Sequence, residues 1–138
     1  MLELETLVEK TPCPIPIPER KKQVLVVDDN RAVQDVLSRM ISLLGYDVTL
    51  AGNGLEGGTL FVTGSYDLVV TDVQMPLMNG WELSRIVKER SPKTPVIVVT
   101  GLPEGNHGEK PEETCVDAVI PKPFRAEEFE RTVQRLLK

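Results

Sequence analysis

Histidine occurs once and cysteine twice in this chain of 138 residues, and its 16 basic residues are outnumbered by 21 acidic ones, for a formal net charge of −5. Each scarcity excludes something. Cys13 and Cys115 are too few for a disulfide framework and lack metal-ligand spacing, so both read as free thiols in a reducing compartment. The negative balance argues against nucleic acid or an anionic membrane as the main partner, and any phosphate chemistry would need an added cation. No apolar run is long enough to span a bilayer, and the N-terminus, with Glu3, Glu5 and Glu9 among its leucines, has the wrong charge for a signal peptide. A cytoplasmic protein without membrane contact is expected.

The apolar content is nonetheless 41%, enough for one domain with a core of its own. Residues 11–20, TPCPIPIPER, alternate proline with other residues and can neither continue a helix nor pair in a central strand. They read as an extended tether, so residues 1–22 are expected to be a tail or Pro-rich linker and residues 23–138 the folded domain. The LELETLVEK segment before the tether could form two helical turns, marginal by themselves.

From Val24 onward apolar runs alternate with helical periods, the pattern of βα units building a parallel sheet covered on both faces. The expected strands are Val24 to Asp28, Asp47 to Ala51, Asp67 to Asp72, Pro95 to Thr100 and Asp117 to Pro121. The second and fifth are less apolar, as edge strands would be. A first helix runs through Val33, Val36, Leu37, Met40, Ile41 and Leu44, with Asn30 as N-cap and Gly45 as stop. NGLEGGTLFVTG holds a second, in which Gly57 and Gly58 each cost about 1 kcal/mol relative to alanine, to be offset by packing of Leu55, Leu60, Phe61 or Val62. WELSRIVKER forms a third helix through Leu83, Ile86 and Val87, and RAEEFERTVQRLLK forms the last, through Phe129, Val133, Leu136 and Leu137. Trp81 and Phe124 open these two as core or staple residues. The crossover before the fifth strand carries Gly105, Gly108 and Pro111, so its helix should be short or irregular and start no earlier than about Pro111.

In a doubly wound open sheet, ligands bind outside the carboxyl ends of the strands, where strand order reverses. The strand endings here are Asp28 and Asp29, Asp72, Thr100 and Lys122. With strand order 2-1-3-4-5, the three carboxylates converge, and Thr100 and Lys122 approach from the other side. Three adjacent carboxylates raise one another's pKa unless a cation sits among them, and hard oxygen ligands suit Mg²⁺. Asp72 then has the position of a nucleophile able to form an aspartyl phosphate, a transfer governed by positioning and by charge neutralisation at the phosphoryl oxygens. Singly, each of these residues has a structural explanation as a turn, strand-end or solvated residue; it is their coincidence that signifies.

The stretches VLVVDDN, DLVVTDVQMPLMNGWEL, PVIVVTG and KPF, at their mutual spacing, closely resemble the receiver domain of two-component response regulators and hybrid histidine kinases, over about residues 23 to 138. The resemblance implies a flavodoxin-like (βα)5 fold and a phosphoryl group passing to Asp72 from a histidine of a partner kinase or histidine phosphotransfer protein. It implies that Asp28, Asp29, Asp72 and the backbone carbonyl of Gln74 hold Mg²⁺, with Asp28 ligating directly or through water. It also implies that Thr100 and Lys122 contact the phosphoryl group and that the peptide before Pro123 is cis. Gln74 and Leu102 flank the site and are expected to tune phosphoryl lifetime. Members usually carry an aromatic residue three positions before the lysine, forming a switch with the threonine; here the switch positions are Thr100 and Val119, so a different coupling is expected. The fourth crossover lies on a face that many receivers use for dimerisation, and the usual dimer is not expected. No output domain lies within the chain, which could stand alone or be joined through its N-terminal linker to a neighbouring domain.

Three alternatives fit less well. A phosphatase of the haloacid dehalogenase type wants a second acid two residues after the nucleophile, where this chain has Gln74, and it wants length for a cap domain. A flavodoxin-like cofactor carrier would place phosphate where Asp28 and Asp29 would repel it. A receiver-like docking module that is never phosphorylated would have no need of all five side chains. Gly101 to Lys110 fails the P-loop spacing, and His107, in a Gly-rich loop, is not presented by a helix as a phosphodonor, so the donor must come from elsewhere.

Overall fold

The computed structural model describes residues 21–101 and 116–138. The expectations for the N-terminal tether, Cys13, Leu102, His107, Cys115 and the helix of the fourth crossover lie outside these residues.

Five parallel strands form one sheet in the order β2-β1-β3-β4-β5, where β1 is Gln23–Val27, β2 Asp47–Ala51, β3 Leu68–Asp72, β4 Val96–Thr100 and β5 Ala118–Pro121. The described helices are α1 (Arg31–Leu43), α2 (Gly54–Thr63), α3 (Gly80–Arg90) and α4 (Ala126–Leu136). This is the expected doubly wound flavodoxin-like architecture.

Alternation along the central strands splits the core in two. Val24 and Val26 join Leu68, Val70, Ile97 and Val99 in a cluster with Leu37 and Ile41 of α1 and Phe129 and Val133 of α4. Leu25 and Val27 join Val69, Val96 and Val98 in the opposite cluster, with Phe61 of α2 and Trp81, Leu83 and Val87 of α3. Strands covered on both faces have no polar side to alternate with, so their sequences are continuous apolar runs. Pro121 is tolerated in β5 because that strand lies at the sheet edge. At the opposite end of the sheet, Asp67 accepts the Gln23 N–H at 2.7 Å and Asp117 accepts both the Val96 N–H and Lys88 Nζ at 2.8 Å. These carboxylates satisfy backbone donors that the ladder leaves open.

The strand boundaries differ from expectation by one residue at several ends. Asp28 lies beyond β1, because the register ends at Val27 opposite Ala51, although its N–H still bonds the Ala51 carbonyl at 3.1 Å. The chain leaves α1 through Gly45 in the left-handed region, at φ 96°. In α2 the glycines are more than a cost. A Cβ on Gly57 would lie 2.7 Å from Val27 Cγ2, so the missing side chain lets the helix approach the sheet. Phe61 is buried and Leu60 half-buried, whereas Leu55 and Val62 face outward. In α4, Phe129 and Val133 are buried, while Leu137 is buried as the residue capping the helix end. Among the described residues, no helix is long and apolar enough to cross a membrane.

Candidate functional site

Three of the turns at the carboxyl end of the sheet begin a helix with asparagine. Asn30 accepts from the Ala32 and Val33 N–H groups, Asn53 from Glu56, and Asn79 from Glu82 within a reciprocal capping box. The caps fix short strand-to-helix turns and so hold the strand-end side chains in place. Gly80 completes the turn after β3. A Cβ there would collide with the Asp72 carbonyl, which also accepts the Thr71 hydroxyl at 2.9 Å.

This scaffold brings together Asp28, Asp29 and Asp72, each offering one carboxylate oxygen within 4.8 Å of the others. Asp28 is 1% exposed, Asp72 partly buried and Asp29 exposed. Lys122 Nζ stands 3.4 Å from Asp28 Oδ2 and 3.9 Å from Asp72 Oδ1. Asp28 Oδ1 accepts the Asn30 N–H at 2.8 Å and Asp72 Oδ1 accepts the Val73 N–H at 2.7 Å. Burial pushes the Asp72 carboxyl above its ordinary value; the Lys122 ammonium opposes that rise, Asp28 reinforces it, the Val73 N–H opposes it and Asp29 adds to it.

The donor set fits a hard divalent cation: three carboxylates of graded exposure face one ammonium among the described residues, leaving excess negative charge that such a cation would neutralise. Thr100 is buried at the end of β4, in register with Pro121, and Asp72 is in register with Val99 immediately before it. Gln74 is exposed in the turn after β3. Val119 faces Val98 in the β4–β5 register and is 38% exposed. The Lys122–Pro123 peptide is cis.

Three contributors were not legible as site residues. Gln34 on α1 donates its side-chain amide to the carbonyls of Asp28 at 2.6 Å and Ala51 at 3.1 Å. Its partners are main-chain atoms, so no side-chain motif marks it. Thr71 and Gly80 act on the Asp72 carbonyl in the same unmarked way. The Asn79–Glu82 box, by contrast, carries a readable spacing.

The response regulator receiver domain family matches residues 24–134. The chain is 33% identical over 116 residues to the transcriptional regulatory protein CusR of Escherichia coli (strain K12), a match covering 84% of this chain and 51% of CusR. It is 35% identical over 116 residues to the response regulator MprA of Mycobacterium sp. (strain KMS), covering 84% and 50%. The chain thus spans about half the length of these curated relatives. Among solved structures, a CheY-like response regulator receiver domain protein from Methanospirillum hungatei JF-1 superposes with a TM-score of 0.79 at 26% identity, covering 86% of this chain and 94% of that one. The response regulator protein TrrA of Thermotoga maritima, solved in complex with Mg²⁺–BeF, gives 0.76 at 28% identity, covering 84% and 99%. The strand order, the clustered strand-end acids and these likenesses agree, and the chain belongs to the response regulator receiver domain family.

Proposed function

We propose that this receiver domain accepts a phosphoryl group on Asp72 from a phosphohistidine of a partner histidine kinase or histidine phosphotransfer protein, with Mg²⁺ held by Asp28, Asp29, Asp72 and the Gln74 carbonyl. The observation that carries this reading is the convergence of three carboxylate oxygens within 4.8 Å beside the Lys122 ammonium. Bound Mg²⁺ would neutralise charge on the phosphoryl oxygens. The ionised Asp72 attacks phosphorus; the new O–P bond forms as the donor's N–P bond breaks, and the electron pair of that bond stays on the imidazole. Val73 N–H orients the carboxylate through Oδ1, and Lys122, already between Asp28 and Asp72, can turn towards the incoming phosphoryl group. Thr100 would donate its hydroxyl to that group, and with Val119 in place of an aromatic residue its movement would be relayed differently from the usual switch. The domain assists its own phosphorylation and dephosphorylation but turns over no separate substrate. Residues 1–22 would serve as tail or linker to a neighbouring domain and residues 23–138 as the receiver, working in the cytoplasm without nucleic-acid or membrane contact of its own.

Incubation with acetyl phosphate and Mg²⁺, followed by intact mass, tests this reading. One added phosphoryl group that depends on Mg²⁺ and is lost in Asp72→Asn is expected. Failure to form any adduct at short times and low temperature, together with failure to bind beryllofluoride, would leave only a constitutive docking module.

A further inference from the structure

The ladder that holds β1 ends at Val27, yet the residues with the chemistry follow it. Asp28 is the first residue past the register, and its N–H makes one last bond to the Ala51 carbonyl at 3.1 Å. Beyond it the backbone turns into α1, so neither neighbouring strand pairs with the Asp28 carbonyl. The Gln34 amide takes that carbonyl at 2.6 Å and the Ala51 carbonyl at 3.1 Å. Both acceptors are carbonyl oxygens, so chemistry alone requires the nitrogen rather than the oxygen of the amide to face them. Gln34 is itself held by its own N–H to the Asn30 carbonyl, in the first turn of the helix that Asn30 caps.

We propose that Gln34 is a positioning residue for the acidic site, fixing through its side-chain amide the plane of the peptide that joins Asp28 to Asp29. The inference rests on the reading of that site as a Mg²⁺-binding phosphoacceptor centre. A peptide is planar, so holding its carbonyl also fixes the N–H and Cα of the next residue. Asp29 is exposed and has no packing to aim it, and Asp28 already has both carboxylate oxygens engaged, by Asn30 and Lys122. The Gln34 clamp therefore sets where the Asp29 carboxylate starts relative to that of Asp28. It also joins the ends of β1 and β2 to α1, so the acidic pair keeps its place relative to that helix. Outer partners of this kind orient ligands without touching the ion.

The test is Mg²⁺ titration of the full chain followed by backbone amide NMR, in wild type, Gln34→Leu, Gln34→Asn and Gln34→Lys, with a urea midpoint measured for each. Leucine keeps the bulk and removes the donor, asparagine keeps the amide but is one methylene short, and lysine restores a donor of sufficient reach. Gln34→Leu and Gln34→Asn are expected to weaken Mg²⁺ binding about tenfold and to shift the metal-free Asp29 and Asn30 amide signals, with Gln34→Lys recovering much of the affinity. Should either Gln34→Leu or Gln34→Asn be unfolded, the other makes the same comparison. Wild-type Mg²⁺ affinity in Gln34→Leu or Gln34→Asn, with only the urea midpoint lowered, would overturn the inference and leave Gln34 a structural tie. Absence of Mg²⁺ binding in the wild type would instead overturn the phosphoacceptor reading on which it rests.

Discussion

Replacing Asp72 with asparagine removes one of three negative charges whose ligand oxygens lie within 4.8 Å of one another. At an effective dielectric constant of about 20, its repulsion from each of the other two at that separation is about 3.5 kcal/mol. The attraction to Lys122 at 3.9 Å is about 4 kcal/mol on the same scale. Repulsion exceeds attraction by about 3 kcal/mol, and burial of the charge adds to the imbalance. Exposure of Asp29 and part of Lys122 to water screens the sum, so a gain of about 1–2 kcal/mol is expected for Asp72→Asn in EDTA at neutral pH. With a urea slope of about 2 kcal/mol per molar, the midpoint should rise by about 0.5–1 M. The pH dependence follows from linkage. Because the folded-state pKa of Asp72 is raised, the native state binds more protons than the unfolded state between the two pKa values. Wild-type stability from this group therefore falls as pH rises from about 4 through the raised value, and the advantage of the variant, full above that value, shrinks as pH falls through it. If Mg²⁺ binds as proposed, it should narrow or reverse the gap, since it would stabilise the wild type through a native carboxylate that the variant lacks. Urea titrations at several pH values, with EDTA or Mg²⁺, make the comparison. A variant no more stable than wild type at neutral pH in EDTA would refute the electrostatic reasoning.

Lys122→Met leaves Asp28 buried without its cation and should cost about 2–3 kcal/mol in EDTA, less than a fully buried pair because Lys122 is partly exposed; urea melts with added Mg²⁺ should show partial recovery. Gly57→Ala gains about 1 kcal/mol of helix propensity, but its Cβ meets Val27 Cγ2 at 2.7 Å, so a net loss of about 1–2 kcal/mol is expected by chemical denaturation. Asn79→Ala breaks the capping box at the start of α3 and should lower stability by about 1 kcal/mol, with early hydrogen-exchange loss confined to the first turn of that helix.

Fold and site were legible to different depths for physical reasons. Strands such as Val24 to Val27 and Val96 to Val99 are buried on both faces, and only a parallel sheet covered by helices turns that into uninterrupted apolar sequence. The strand order does not follow from the strand endings by themselves; it comes with the resemblance to receiver domains, and the strand-end acids and lysine are what that order brings together at the switch point between β1 and β3. Propensity is local and marks Gly57 as a weakness, whereas its value lies in contact with Val27, which is remote in sequence. Gln34 was indistinguishable from a solvated helix residue because hydrogen bonds to carbonyls at positions 28 and 51 depend on the folded path of the main chain.

The proposed function turns on Asp72, among the three clustered carboxylates, being the one that accepts a phosphoryl group. The protein, phosphorylated with acetyl phosphate and Mg²⁺, can be treated with borohydride, which reduces an aspartyl phosphate to homoserine, and the modified residue located by peptide mass spectrometry. Modification at Asp72 is the expected result. Modification at Asp28 or Asp29 with Asp72 intact would contradict the assignment of nucleophile and ligands to these three aspartates.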